Sequence, residues 1–172
     1  IAEWDFSGGN INSRCGRYTA ELRGATRIMG DSGSQYLSVG RGPLEMPQGI
    51  AISKNAPELS PAAFRLEATF RLRKEAGSNQ ILWDSKYIDY PMKPDKAEYH
   101  CGFVLYLDRN SKGWYTPKAQ IGLGGLKSVD FSGSKISLKA GTPHTLSFSY
   151  DGTGTAEFII DGKRNARIRR EG

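Results

Sequence analysis

Hydrophobic residues in this chain recur at every second position in short runs, and no stretch holds a helical period. The clearest run is 64–72, where Phe64, Leu66, Ala68, Phe70 and Leu72 alternate with Arg65, Glu67, Thr69 and Arg71. Successive side chains of a strand point to opposite faces, so one face of this segment is predicted to be buried and the other wet. The segment 142–164 carries the pattern twice, with Leu146, Phe148 and Tyr150 on one arm and Phe158 and Ile160 on the other. Asp151-Gly152 and Asp161-Gly162 follow the two arms. Such dipeptides tolerate positive φ, and a β-hairpin closed by a second turn is predicted here.

Shorter runs predict further strands at 1–6, 17–22, 27–29, 35–39, 49–53, 79–83, 102–107, 118–123, 126–131 and from 166 onward, separated by Gly, Pro, Asn and Asp. About twelve short strands spaced by turns imply an all-β domain of two packed antiparallel sheets. A chain of 172 residues is long enough to bury the core of one such domain without metals or many disulfides. The segment 84–100 stands apart. It is far longer than the usual connection of about four to six residues, and it holds Tyr87, Tyr90 and Tyr99 with Asp84, Asp89, Asp95 and Glu98. Long loops on a rigid scaffold are often where binding resides.

Two of these segments also carry a resemblance. The string HTLSFSYDGTGTAEFIIDGK, from His144 to Lys163, is similar to the "WHHVAFTYDGxxxxLYVDGK" of laminin-G-like domains in the concanavalin A-like lectin and glucanase superfamily, and FRLEATFR, from Phe64, resembles their "FTLEAWVR". The opening Trp4-x-Phe6 is similar to the first strand of that family. The resemblance runs from Trp4 to Lys163. It implies a jelly-roll β-sandwich spanning 1–172 that departs from the family at its end: family members continue after the DGK turn through strands that return beside the first one, so this domain is expected either to lack its final strands or to close differently. It also implies a secreted, extracellular or periplasmic module that binds carbohydrate.

Glucanase members of the superfamily carry E-x-D-x-x-E, whereas Glu3-Trp4-Asp5 runs on to Gly8. The paired carboxylates of glycoside hydrolysis are therefore not supplied by that motif, which leaves no catalytic residue assigned. A hydrolase with displaced carboxylates, drawn from Asp84, Asp89 and Glu98, is the alternative. His100 and His144 lie in unrelated contexts, no G-x-S-x-G occurs, and no glycine-rich loop opens a helix, so neither nucleophilic nor nucleotide chemistry is indicated. His144 is expected to be structural. The expected partner is a glycan-bearing surface rather than nucleic acid, and no run reaches the roughly 18 to 20 apolar residues of a membrane helix.

Sugar rings stack on aromatic faces while polar groups meet their hydroxyls. The candidates for that role are Tyr87, Asp89, Tyr90, Trp114 and Tyr115. Some relatives bind calcium through Asp side chains and loop carbonyls, which makes Asp108 with Asn110 the candidate metal ligands and calcium the candidate cofactor. The two cysteines, Cys15 and Cys101, belong to no zinc or redox motif and are either one disulfide or two small thiols.

Charge adds one more candidate. The chain has 24 basic and 18 acidic residues, a net +6, and five of the cations fall within 163–170. Arg167, Arg169 and Arg170 could bind a polyanion or a protein. They could equally keep an edge strand from aggregating.

Overall fold

A computed structural model of the chain describes residues 2–23, 26–39, 50–53, 61–74, 78–85, 101–124 and 127–170. The backbone divides into two compact units, Ile1–Leu59 and Ser60–Gly172. Among the described residues almost all regular structure is strand, and every strand pairing is antiparallel. Among the described residues no helix is long and apolar enough to cross a membrane.

The first unit holds a 3-10 turn at Phe6–Gly8 and four short strands: β1 (Ala20–Arg23), β2 (Arg27–Met29), β3 (Tyr36–Ser38) and β4 (Ile50–Ser53). β1 pairs with β4 and β2 with β3. The expected strand at 1–6 does not form. Arg14 holds Glu3 and Asp5 at 3.2 and 3.0 Å, its N–H donates to the Glu3 carbonyl, and Gly9 N–H closes a turn onto the Phe6 carbonyl. Local polar contacts thus outcompete the weak alternation of Ala2, Trp4 and Phe6. Trp4 packs 6.0 Å from the Tyr18 ring, and Tyr18 is buried.

The second unit holds β5 (Phe64–Arg71), β6 (Asn79–Asp84), β7 (Cys101–Arg109), β8 (Tyr115–Gly124), β9 (Lys127–Ser132), β10 (Pro143–Tyr150), β11 (Thr155–Ile160) and β12 (Lys163–Arg169). One sheet has the order β12-β11-β10-β5, the other β6-β7-β8-β9. Both contribute to one apolar cluster, with Phe103, Leu105, Leu107, Ala119, Ile121 and Phe131 from the second sheet and Leu146, Phe148, Ala156, Phe158 and Ile160 from the first. The rings of Phe64 and Phe103 stack across the two sheets at 4.4 Å, and Phe148 sits 6.0 Å from Phe131. This is a β-sandwich-like core. Offset and tilted aromatic pairs of this kind add about 0.5–1.5 kcal/mol beyond the area they bury.

The hairpin behaves as its pattern requires. β10 and β11 pair from Leu146 opposite Ile160 to Tyr150 opposite Ala156, and Leu146, Phe148 and Phe158 are wholly buried. Asp161 and Gly162 have φ of 50° and 76°, the two positive values that a tight primed turn demands. The turn therefore sends β12 straight back along β11, three residues earlier than alternation alone suggests. A bulge opposite Phe158 and Ile159 absorbs Asn165, whose carboxamide accepts from Ser134 N–H at 2.8 Å and donates to the Ser134 carbonyl at 3.1 Å.

Candidate functional site

The four-strand sheet β12-β11-β10-β5 turns the even-numbered side chains of β5, β10 and β11 toward the core and the odd-numbered ones to a polar outer face, and on β12 the bulge at Asn165 puts Arg164 on that outer face together with Arg167 and Arg169. Register aligns Arg167, Glu157, Ser149 and Arg65 in one row, and Arg164, Ile159, Ser147 and Glu67 in the next. The β5–β10 half of this face satisfies itself. Glu67 Oε2 accepts from Ser147 Oγ at 2.6 Å and from Arg65 at 2.8 Å, and the Thr69 and Thr145 hydroxyls meet at 3.2 Å. The Ser147 hydroxyl and then the Arg65 guanidinium hold the Glu67 carboxyl below the ordinary carboxylate range.

The β11–β12 half is different. Glu157 stands opposite Arg167, yet its carboxylate accepts from Arg164 Nε at 2.6 Å. Arg167, Arg169 and Arg170 are exposed and, among the described residues, lie within ion-pair distance of no carboxylate. Beside them Ser149, Thr155, Asp151, Glu157, Arg164 and Arg167 line an open hollow of about 330 Å³. Asp151 is spoken for, since its Oδ1 accepts from Thr153 and Thr155 N–H at 2.7 and 2.9 Å, bonds that hold its carboxyl well below the usual value. Of the three arginines, Arg167 lines this hollow and Arg169 stands opposite Thr155; such a surface can accept an anion, because guanidinium presents a planar fork of donors suited to sulfate or carboxylate oxygens.

The other sequence candidates are placed as follows. Tyr87, Asp89 and Tyr90 lie outside the described residues, as does Glu98. Trp114 is 47% exposed, whereas Tyr115 is 4% exposed and belongs to the core cluster, its N–H and C=O bridged to Ile136 at 2.9 and 2.8 Å. Of the two neighbouring aromatics only Trp114 offers a face to a ligand. Counting back by twos from the buried Ile121 and Ala119 reaches Tyr115, a parity signal present in the sequence.

Asp108 Oδ2 is 2.6 Å from Lys118 Nζ, and Asn110 Oδ1 accepts from Lys112 and Trp114 N–H, both at 3.0 Å. The Lys118 ammonium occupies the place beside Asp108 that a cation would take, and Asn110 is occupied in capping its turn. Calcium takes roughly six to eight oxygen ligands, and among the described residues no group of three or more His, Cys, Asp or Glu is set to hold a metal. Cys15 is a free, exposed thiol with its Sγ 3.3 Å from Ser13 Oγ, and Cys101 opens β7 with its side chain outside the described set.

His144 is 9% exposed, with Nδ1 2.8 Å from Asp161 Oδ2 and Nε2 3.1 Å from the Lys139 carbonyl. Both ring nitrogens are engaged in tying the start of β10 to the β11–β12 turn. In the sequence Asp161 is legible as a turn former, whereas its partnership with His144 is set by tertiary register.

Compared with protein-family models, with curated proteins and with solved structures, the chain matches none.

Proposed function

We propose that this chain is a non-catalytic recognition module, a concanavalin A-like jelly roll of the laminin-G-like kind, that binds acidic carbohydrate on a glycan-bearing surface outside the cell or in the periplasm. The carrying observation is the charge of the β11–β12 face: Arg167, Arg169 and Arg170 stand exposed without carboxylate partners among the described residues, and Arg167 lines a hollow that Ser149 and Thr155 also line. Side chains two apart on a strand are separated by roughly 6.6 Å, so Arg167 and Arg169 address anionic groups spaced along a chain rather than one compact ion. Each exposed contact contributes on the order of 0.2–1 kcal/mol, which makes affinity depend on several contacts at once and on low salt.

Trp114, exposed at the turn before β8, is an aromatic that suits a ring face. The test is a glycan array of neutral, uronic-acid and sulfated saccharides, read with and without calcium. Binding confined to acidic glycans and indifferent to calcium is expected. Binding to neutral sugars alone moves the site away from β12, and silence on every glycan rejects carbohydrate recognition.

A further inference from the structure

β12 is an edge strand, hydrogen-bonded on one side only among the described residues. Which of its backbone groups face outward follows from register. Arg170 N–H donates to the Gly154 carbonyl at 2.8 Å, and hydrogen-bonded pairs in an antiparallel ladder recur at every second residue. Ala156 opposite Ile168 and Phe158 opposite Ala166 are therefore the bonded pairs, and Arg167 and Arg169 are the non-bonded ones. The β10–β11 ladder agrees in phase, because Thr155 uses its carbonyl for Asp151 N–H and so turns toward β10. The N–H and C=O of both Arg167 and Arg169 consequently point off the sheet edge, and no backbone group among the described residues bonds them.

We infer that this edge takes up an extended acidic segment of a partner protein, which adds a strand beside β12 and sets carboxylates against Arg167 and Arg169. Added strands gain affinity from main-chain hydrogen bonds and specificity from alternate side chains. Here both determinants fall on the same two residues. The outward backbone groups belong to Arg167 and Arg169, and their side chains share the outer face of the sheet. Like charges directly opposed across a strand pair are destabilising and opposite charges stabilising. A second copy of the same edge would place arginine against arginine, so self-pairing is disfavoured while an acidic strand is selected. The Asn165 bulge, held to Ser134 on both sides of its carboxamide, ends the usable edge on the N-terminal side. A short strand is thus the fitting occupant. The inference goes beyond carbohydrate binding, because the occupant lies beside the sheet and is recognised through its backbone.

The test uses the whole chain and a fluorescent capped hexapeptide alternating Glu and Val, followed by anisotropy in low salt. Binding is expected, with at least a tenfold loss when the backbone nitrogens of one parity are methylated and little loss when the other parity is methylated. The charge-reversed variant Arg167→Glu with Arg169→Glu should reject this peptide and bind one alternating Lys and Val. If both methylated peptides bind like the parent, the contact is charge alone and strand addition is overturned. Absence of binding by the parent peptide overturns it too, as does a reversed variant that shows its native circular dichroism yet no switch in preference.

Discussion

Asp161 and His144 form the bracket that fixes where β12 runs. Asp161 Oδ2 meets His144 Nδ1 at 2.8 Å, while its Oδ1 accepts from Thr145 N–H at 2.8 Å and its own N–H donates to the Thr145 carbonyl at 2.9 Å. One residue in the left-handed region, at φ 50°, thereby ties the β11–β12 turn to the first residues of β10. The arginine-bearing edge hangs from that turn.

Asp161→Ala should therefore destabilise the chain by about 1–3 kcal/mol, since it removes two acceptors and leaves a Cβ residue at positive φ without the local bonds that Asp supplies. Asp161→Asn, which tolerates that conformation and keeps one amide acceptor, should cost less. Urea denaturation of the three proteins checks the order, and equal midpoints would show that the bracket carries no stability.

Acid should weaken the fold from the same place. Desolvation raises the Asp161 carboxyl, but the His144 hydrogen bond and the Thr145 N–H outweigh it and leave the group below its ordinary value of 3.8. Glu67 is lowered by Ser147 and Arg65, and Asp151 by its bonds to Thr153 and Thr155. A carboxyl depressed in the folded state contributes stability that is fully present above its unfolded value and is lost as pH falls through the folded one. The urea midpoint should stay level from pH 7 to about 5 and then fall below about pH 4, as these carboxyls take up protons. A midpoint that rises on acidification would contradict this.

The core gives a contrast within one experiment. Phe148 is fully buried, 4.9 Å from Phe158 and 6.0 Å from both Phe64 and Phe131. Phe148→Ala should cost about 3–5 kcal/mol. Ile81→Ser, at a position 61% exposed, should change stability by no more than about 0.5 kcal/mol. Similar costs at both positions would mean that the sandwich core is not organised around Phe148.

Alternation made β5 legible almost to the residue, because Phe64 through Arg71 lies half in the core and half in water. The hairpin was legible for the same reason, reinforced by Asp161-Gly162. Where alternation was short it misled: Trp4 and Phe6 mimic a strand, but Arg14 decides the local structure through Glu3 and Asp5. Gly102 shows a constraint that sequence does not carry. It sits inside β7 at φ 106°, where a Cβ would lie 2.6 Å from the Ser85 carbonyl oxygen. The cationic stretch was visible as composition. That Arg164 takes Glu157 while Arg167 and Arg169 pair with no carboxylate among the described residues depends on the Asn165 bulge, which shifts the register by one residue.

Gly102→Ala should accordingly destabilise by about 2 kcal/mol or more, from positive φ and a backbone clash together. A thermal melt against the parent protein measures it, and an unchanged midpoint would show that β7 adapts at this position.

The measurement that bears most directly on anion recognition by β12 is the salt at which the chain elutes from immobilised heparin, compared with Arg167→Ala plus Arg169→Ala. Neither side chain contributes to the core, so the variant should melt within about 0.5 kcal/mol of the parent. The parent should be retained at low salt and released as screening shortens the reach of its charges to under about 10 Å. The double variant should elute markedly earlier, with affinity lowered about tenfold, the loss of two exposed charge contacts at up to about 1 kcal/mol each. Identical elution of the two proteins, or no retention of the parent, would contradict the assignment of the acidic-glycan site to this strand.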